Sequence, residues 1–312
     1  MSPEIINIQK NGFCIGPNVI NEKNILFLRK YLEIEFNSKN NIKQIHLFEI
    51  KNKELLVKIL NIFNDKKINN FIENLSYEYK NNINFIPQFV IQRNYHVDRL
   101  NSPSIGWHRD CGGELKYKFC EKKLKNKDYF FAKIGIYLQE NTKYGGSIDV
   151  IPYSHKLIKF KKFSFIRKYN NFKILLLKHF QNKFSKLYGL ISESLFMKFL
   201  NAKKMYPTPG SFILFDSRTV HRGSPVEDSV RNNALFKSGM NFASVPQENT
   251  KYSLYVDIGN SVGFDSYMYD RSQRKTKIDE ITLLKENMKM IKNYAPELYI
   301  NIEKLVLPII SK

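Results

Sequence analysis

Two short stretches, far apart in this chain, carry side chains suited to binding a divalent metal. Trp107-His108-Arg109-Asp110 contains a His-x-Asp, and His221 stands downstream with Arg231 ten residues beyond it. Two neutral imidazoles and one carboxylate are the donor set of a facial metal triad, which leaves open positions opposite the protein ligands and suits Fe(II). Residues two apart on an extended segment point the same way, so His108 and Asp110 supply two ligands from one strand end. His221 must then arrive from a second strand close in space. The chain has 6 histidines. A rival pair, His96-Val97-Asp98, lacks the surrounding pattern that supports the first.

That pattern has three parts. Phe89-Val90-Ile91-Gln92 reads as an apolar strand feeding residues 104–110. Between the candidate ligands comes Gly145-Gly146-Ser147-Ile148-Asp149-Val150-Ile151-Pro152-Tyr153-Ser154-His155-Lys156. Before His221 comes Pro209-Gly210-Ser211-Phe212-Ile213-Leu214-Phe215-Asp216, a Pro-Gly turn running into a short strand. Taken in this order, and with Asn11-Gly12-Phe13-Cys14-Ile15 near the start, these segments resemble the phytanoyl-CoA dioxygenase family of Fe(II)/2-oxoglutarate-dependent oxygenases. The resemblance covers roughly residues 8–245.

The resemblance implies a mainly β fold with flanking helices, a double-stranded β-helix or jelly roll that brings the two ligand strands together. It implies Fe(II) on His108, Asp110 and His221, with 2-oxoglutarate and O2 as co-substrates. Arg231 would hold the far carboxylate of 2-oxoglutarate, for which a planar guanidinium offers two parallel hydrogen bonds. Arg222, directly after His221, is a rival anchor that would face the opposite side of its strand. Halogenating relatives carry a small residue at the carboxylate position; Asp110 therefore favours hydroxylation or desaturation. The family's polar residue two after the distal histidine is absent, with Gly223 there and Ser224 next. His155 falls in what is a structural loop of the family rather than in its ligand set.

Further candidates come from alternation. Phe131, Lys133, Gly135 and Tyr137 share one face of an expected strand over 130–138. If that face is the inner one, Lys133 would meet 2-oxoglutarate or an acidic substrate; at a strand edge it would instead reach out to water. Gly135 would leave room that enlarges the pocket. Gln92 and Tyr95 are candidates to line the co-substrate site from the preceding strand.

At 312 residues the chain is expected to form one dioxygenase domain. The apolar run Ile174-Leu175-Leu176-Leu177 is interrupted by Lys178, and residues 1–10 carry no secretory signature. Cys14, Cys111 and Cys120 show no metal spacing, and the odd count argues against a disulfide scaffold. A cytoplasmic setting is expected. The formal charge of +21 attracts anionic substrates and acidic membrane surfaces. It is carried mostly by Lys alongside abundant Asn and Ile, the pattern of an AT-rich coding sequence, and nucleic-acid readers lean on Arg. No specific nucleic-acid partner is expected.

Several elements must position these residues. Asn21 caps a helix running to about Phe36, and a second helical stretch is expected over about 53–79. Strands follow from about Ile86 to Val150 and from Phe212 to Val245. Residues 156–206 read as a Lys- and Phe-rich helical insertion, either a lid, a basic amphipathic contact for lipid or a helical pair on the barrel. Residues 277–312 read as a helical extension packed on the barrel or forming a dimer contact. Arg271 and Arg274, with aromatics around Tyr267, would lie near the site mouth.

The expected activity is hydroxylation of an unactivated carbon of a small, anionic metabolite, lipid or sugar, with release of succinate and CO2. Two alternatives are a protein or peptide hydroxylase docking an acidic partner on its basic surface, and a non-catalytic ligand-binding barrel. Fold analogy alone does not choose the substrate.

Overall fold

Apolar residues alternate along the strands of this chain, and the alternation sorts its core into two layers. The computed structural model describes residues 3–39, 42–94, 107–110, 126–141, 147–156, 198, 200–224, 250–273 and 276–311. Tyr95, the His96/Asp98 pair, Cys111, Cys120, Arg231, Arg274 and residues 157–197 lie outside the described residues.

The chain opens with helix α1 (Pro3–Asn11), strand β1 (Phe13–Asn18) and helix α2 (Glu22–Asn37). The Asn21 side chain accepts from the Asn24 backbone N–H at 2.9 Å, the expected cap. After β2 (Gln44–His46), the stretch expected as helical over 53–79 holds two helices, α3 (Lys53–Phe63) and α4 (Lys66–Tyr79). The break has a local cause. Asp65 caps α4 by accepting from the Lys67 N–H, in competition with continuing the helix.

The strands follow: β3 (Asn84–Asn94), β4 (Phe131–Tyr137), β5 (Ile148–Val150), β6 (Lys203–Lys204), β7 (Ser211–Asp216), β8 (His221–Gly223) and β9 (Lys251–Gly259). Three helices close the chain: α5 (Ser261–Gln273), α6 (Lys277–Tyr294) and α7 (Pro296–Ile310). A six-stranded sheet has the order β1-β7-β4-β9-β3-β2, and a three-stranded sheet the order β6-β5-β8. Every pairing is antiparallel. His108 adds to the small sheet through a bridge to His221. Along the sequence the chain therefore passes between the sheets repeatedly, large sheet for β3, small for His108, large for β4, small for β5 and β6, then large, small and large for β7, β8 and β9.

One face of the large sheet presents Phe89, Ile91, Ile134, Ile136, Phe212, Leu214, Leu254, Val256 and Ile258 to the helices. The other presents Tyr137, Ile213, Phe215 and Tyr255, which pack with Ile148 and Val150 of the small sheet. The C-terminal helices α6 and α7 contact β3, so the region after 277 packs on the large sheet. One expectation changes here. Lys203 and Lys204, read as the end of a helical insertion, form β6 and pair with Val150 and Asp149. Among the described residues, no helix is long and apolar enough to cross a membrane.

Candidate metal centre

His108, Asp110 and His221 come together where the isolated bridge at His108 meets β8. One potential ligand atom from each lies within 4.8 Å of the others. Asp110 Oδ1 is 3.7 Å from His108 Nε2 and 3.5 Å from His221 Nε2. The backbone explains the closeness. The His108 N–H donates to His221 O at 2.8 Å and the His221 N–H returns to His108 O at 2.9 Å, while the Asp110 N–H donates to Ser217 O. Alternation then puts His108 and Asp110 on the side His221 faces.

Two of the three candidate ligands are oriented by hydrogen bonds. His221 is 4% exposed, and its Nδ1 lies 3.0 Å from Thr219 O. A carbonyl only accepts, so Nδ1 carries the proton and Nε2 keeps its lone pair for a metal. Asp110 turns Oδ2 the other way, where Lys133 Nζ donates to it at 2.7 Å. Burial pushes the Asp110 carboxyl up, but Lys133 and the two imidazoles outweigh it and hold it well below the usual carboxylate range. A deprotonated carboxylate beside two imidazole nitrogens fits a divalent cation.

Lys133 lies on the inner face of β4, one of the two positions open from sequence. Its partner there is Asp110, with Asp257 Oδ1 of β9 at 3.9 Å. In register, Lys133 stands opposite Asp257. Burial drives the Asp257 carboxyl up, only partly offset by Lys133, to about 7. Gly135 does not enlarge the pocket: a Cβ there would come 2.7 Å from Tyr255 Cε1, so the Tyr255 ring already occupies the space. Phe131, expected on the same face, stacks at the strand end on Tyr267 of α5 with ring centroids 4.8 Å apart. Gln92 is partly buried and pairs in register with Ser253 of β9.

The remaining candidates separate cleanly. Arg222 points away from the triad; its Nε donates to Asp149 Oδ2 at 2.9 Å and its guanidinium lies over the Trp107 ring at 4.9 Å. Ser224 donates to the other Asp149 oxygen. His155 packs against the first helix, with Nε2 3.2 Å from Gln9 O, and is a structural residue. Arg271 sits over Tyr267 at 4.7 Å and 3.6 Å from Glu280 of α6, joining α5 to α6.

Two supports were not singled out from sequence. Ser154 accepts from the Val220 N–H at 2.8 Å, and its carbonyl accepts from Arg109 at 2.8 Å, so one serine braces the residues beside two of the ligands. Lys251 is buried at the start of β9, where alternation puts it with Ser253, Tyr255 and Asp257 on the inner face. The period-2 pattern over 251–259 is the signal that would have found it.

The start of the chain also braces the centre. Gly12 adopts φ +89, and a Cβ there would lie 2.5 Å from both His155 Nδ1 and Thr219 Oγ1. Its carbonyl accepts from the Asp216 N–H and from Thr219 Oγ1. Thr219 in turn fixes His221. Gly12→Ala is therefore expected to lower stability by about 1–3 kcal/mol and weaken metal binding about tenfold. Urea unfolding and an anaerobic Fe(II) titration check the two effects.

No protein-family model and no curated protein sequence matches the chain. Several solved structures bear a likeness to it. SnoK, described as a non-heme alpha ketoglutarate dependent carbocyclase from nogalamycin biosynthesis, is 11% identical over 84% of this chain and 85% of that one, with TM-score 0.48. HygX from Streptomyces hygroscopicus, with nickel and 2-oxoglutarate bound, is 11% identical over 83% and 87%, with TM-score 0.48. EctD from S. alaskensis, in its apoform, is 12% identical over 84% and 78%, with TM-score 0.47. At this distance the functional reading rests on the residues of the site itself.

Proposed function

We propose that this chain is an Fe(II)/2-oxoglutarate-dependent dioxygenase resembling the phytanoyl-CoA dioxygenase family, built on a jelly roll. Its reaction is hydroxylation of an unactivated carbon of a small, anionic metabolite, lipid or sugar. The observation that carries the reading is the meeting of His108, Asp110 and His221, with His221 held in the tautomer that presents Nε2. The repeated passage of the chain between two antiparallel sheets supports the jelly-roll assignment.

Bound Fe(II) with 2-oxoglutarate and O2 supplies the oxidation, consuming 2-oxoglutarate to succinate and CO2 as one oxygen atom enters the substrate C–H bond. The chain does the rest. His108, Asp110 and His221 hold the ion from one side and leave the other for small ligands. Thr219 and Lys133 orient two of these ligands. Arg231 anchors the far carboxylate of 2-oxoglutarate. The triad lies between the sheets, where His221 is buried and His108 is half exposed, so substrate approaches from the His108 side. The net charge of +21 favours anionic substrates by raising their local concentration. The protein acts in the cytoplasm.

Anaerobic addition of Fe(II) and then 2-oxoglutarate tests the reading. A visible metal-to-ligand charge-transfer band is expected, followed by succinate release once O2 is admitted. A folded protein that binds iron without the band rejects the co-substrate. A protein that binds no iron rejects the enzyme.

A further inference from the structure

Lys133 stands in an arrangement that carries more than charge balance. Asp110 offers one oxygen to each of two tasks. Its Oδ1 faces both imidazoles at 3.7 and 3.5 Å, and its Oδ2 receives the Lys133 ammonium at 2.7 Å. A free carboxylate is able to bind a cation through both oxygens, as such groups often do when nothing occupies the second. Here the second is occupied by a short, charge-assisted hydrogen bond.

The lysine is itself held. Its Cα sits on the middle of β4, in register with Phe215 on one side and Asp257 on the other. The Asp257 carboxyl group, 2% exposed, lies 3.9 Å from Nζ on the neighbouring strand. In its ionised form it also offsets part of the lysine's charge, which would otherwise repel a divalent cation beside it. Lys133 thus reaches Asp110 from a strand in the centre of the large sheet, while Asp110 itself belongs to the small-sheet side.

We propose that Lys133 is a positioning residue that reserves Asp110 Oδ2 and so restricts Asp110 to a single metal bond through Oδ1. The consequence is functional. A third position stays open opposite the triad, so a chelating 2-oxo acid and O2 are both accommodated. Without the lysine, Asp110 is free to take that position with Oδ2, and the chelating co-substrate has to displace it. This assignment rests on the metal part of the reading above and not on the identity of the substrate.

The test uses Mn(II), whose enhancement of water-proton relaxation scales with the number of exchangeable waters on the bound ion. In Lys133→Met the Mn(II) affinity is expected to stay within threefold of wild type or to tighten. Relaxation per bound ion should fall by about a third, as one of the open positions closes. The 2-oxoglutarate concentration for half-saturation should rise roughly tenfold. Lys133→Gln keeps a donor for Oδ2 and should restore wild-type relaxation. Thermal unfolding monitors the fold. The double variant Lys133→Met/Asp257→Asn, which leaves no lone buried carboxylate, should show the same relaxation loss as the single one.

Unchanged relaxation in a folded Lys133→Met overturns the proposal. So does a folded variant that loses Mn(II) by more than tenfold, because the lysine would then be holding the ligand in place rather than limiting it. If both lysine variants fail to fold, Mn(II)-soaked wild-type crystals decide. Oδ2 still on Lys133 supports the assignment, and Oδ2 bonded to the ion overturns it. Wild type that binds no Mn(II) removes the metal centre and the lysine's role together. Wild type that binds Mn(II) normally but ignores 2-oxoglutarate removes the co-substrate alone, and the relaxation comparison still stands.

Discussion

Asp110→Ala is expected to bind Fe(II) on the order of a hundredfold more weakly than wild type and to give no charge-transfer band with 2-oxoglutarate. The variant takes away the only negative ligand of the triad, and the interaction of one ionised group with its partners is worth about 3 kcal/mol, or roughly two decades of affinity. A second loss compounds it. Lys133 keeps its charge but loses its 2.7 Å partner, and among the described residues Asp257, at 3.9 Å and pushed up to about 7 by burial, offsets that charge in part. The variant therefore converts an attractive site into one that repels cations. His221→Ala should lose metal as well, without placing a new positive charge there. Anaerobic Fe(II) titrations at two ionic strengths separate the two, because repulsion by the freed lysine weakens as salt rises. Equal, salt-independent losses in both would reject the electrostatic part of this account.

The second large effect concerns the co-substrate. Arg231→Ala should raise the 2-oxoglutarate needed for half-saturation by about thirtyfold or more, since stranding a buried carboxylate costs at least about 2 kcal/mol. Iron affinity should hardly move. Lys251→Met is the necessary companion, because Lys251 is a buried cation on the inner face of β9 beside Ser253. With Arg231 as the anchor, Lys251→Met should change the 2-oxoglutarate requirement by less than about threefold. The reverse result, a large effect at Lys251 and a small one at Arg231, would move the anchor to β9. The titration of the charge-transfer band against 2-oxoglutarate reads both variants directly, without knowledge of the substrate.

Much of the candidate metal centre was legible because its potential donors lie in short, local patterns. A His-x-Asp on an extended segment places two ligands on one side whatever the rest of the chain does. The alternation over β4 likewise put Lys133, Gly135 and Tyr137 on one face, and the structure sets that face inward, with Ile134 and Ile136 toward the helices. The Asn21 cap was equally local. The helical character of 53–79 was legible in its apolar residues, while its division into α3 and α4 depends on one aspartate choosing a cap over a helix turn. The end of the 156–206 segment was misread. Two lysines carry no strand signal of their own, and β6 exists because β5 lies alongside to pair with it.

What the sequence alone determined, then, is the chemistry on offer: two imidazoles, one carboxylate and the alternation that groups Lys133 with Gly135 and Tyr137. Those follow from residue type and from a period of two. The tertiary structure decided which atoms meet. The register of β4 against β9 sets Lys133 opposite Asp257, and the turn before β8 gives His221 its carbonyl partner. The same register lets Tyr255 fill the space that Gly135 leaves. The Lys133–Asp257 and Gly135–Tyr255 contacts join residues more than a hundred positions apart, and spacing along the chain carries no information about them until the sheets have closed.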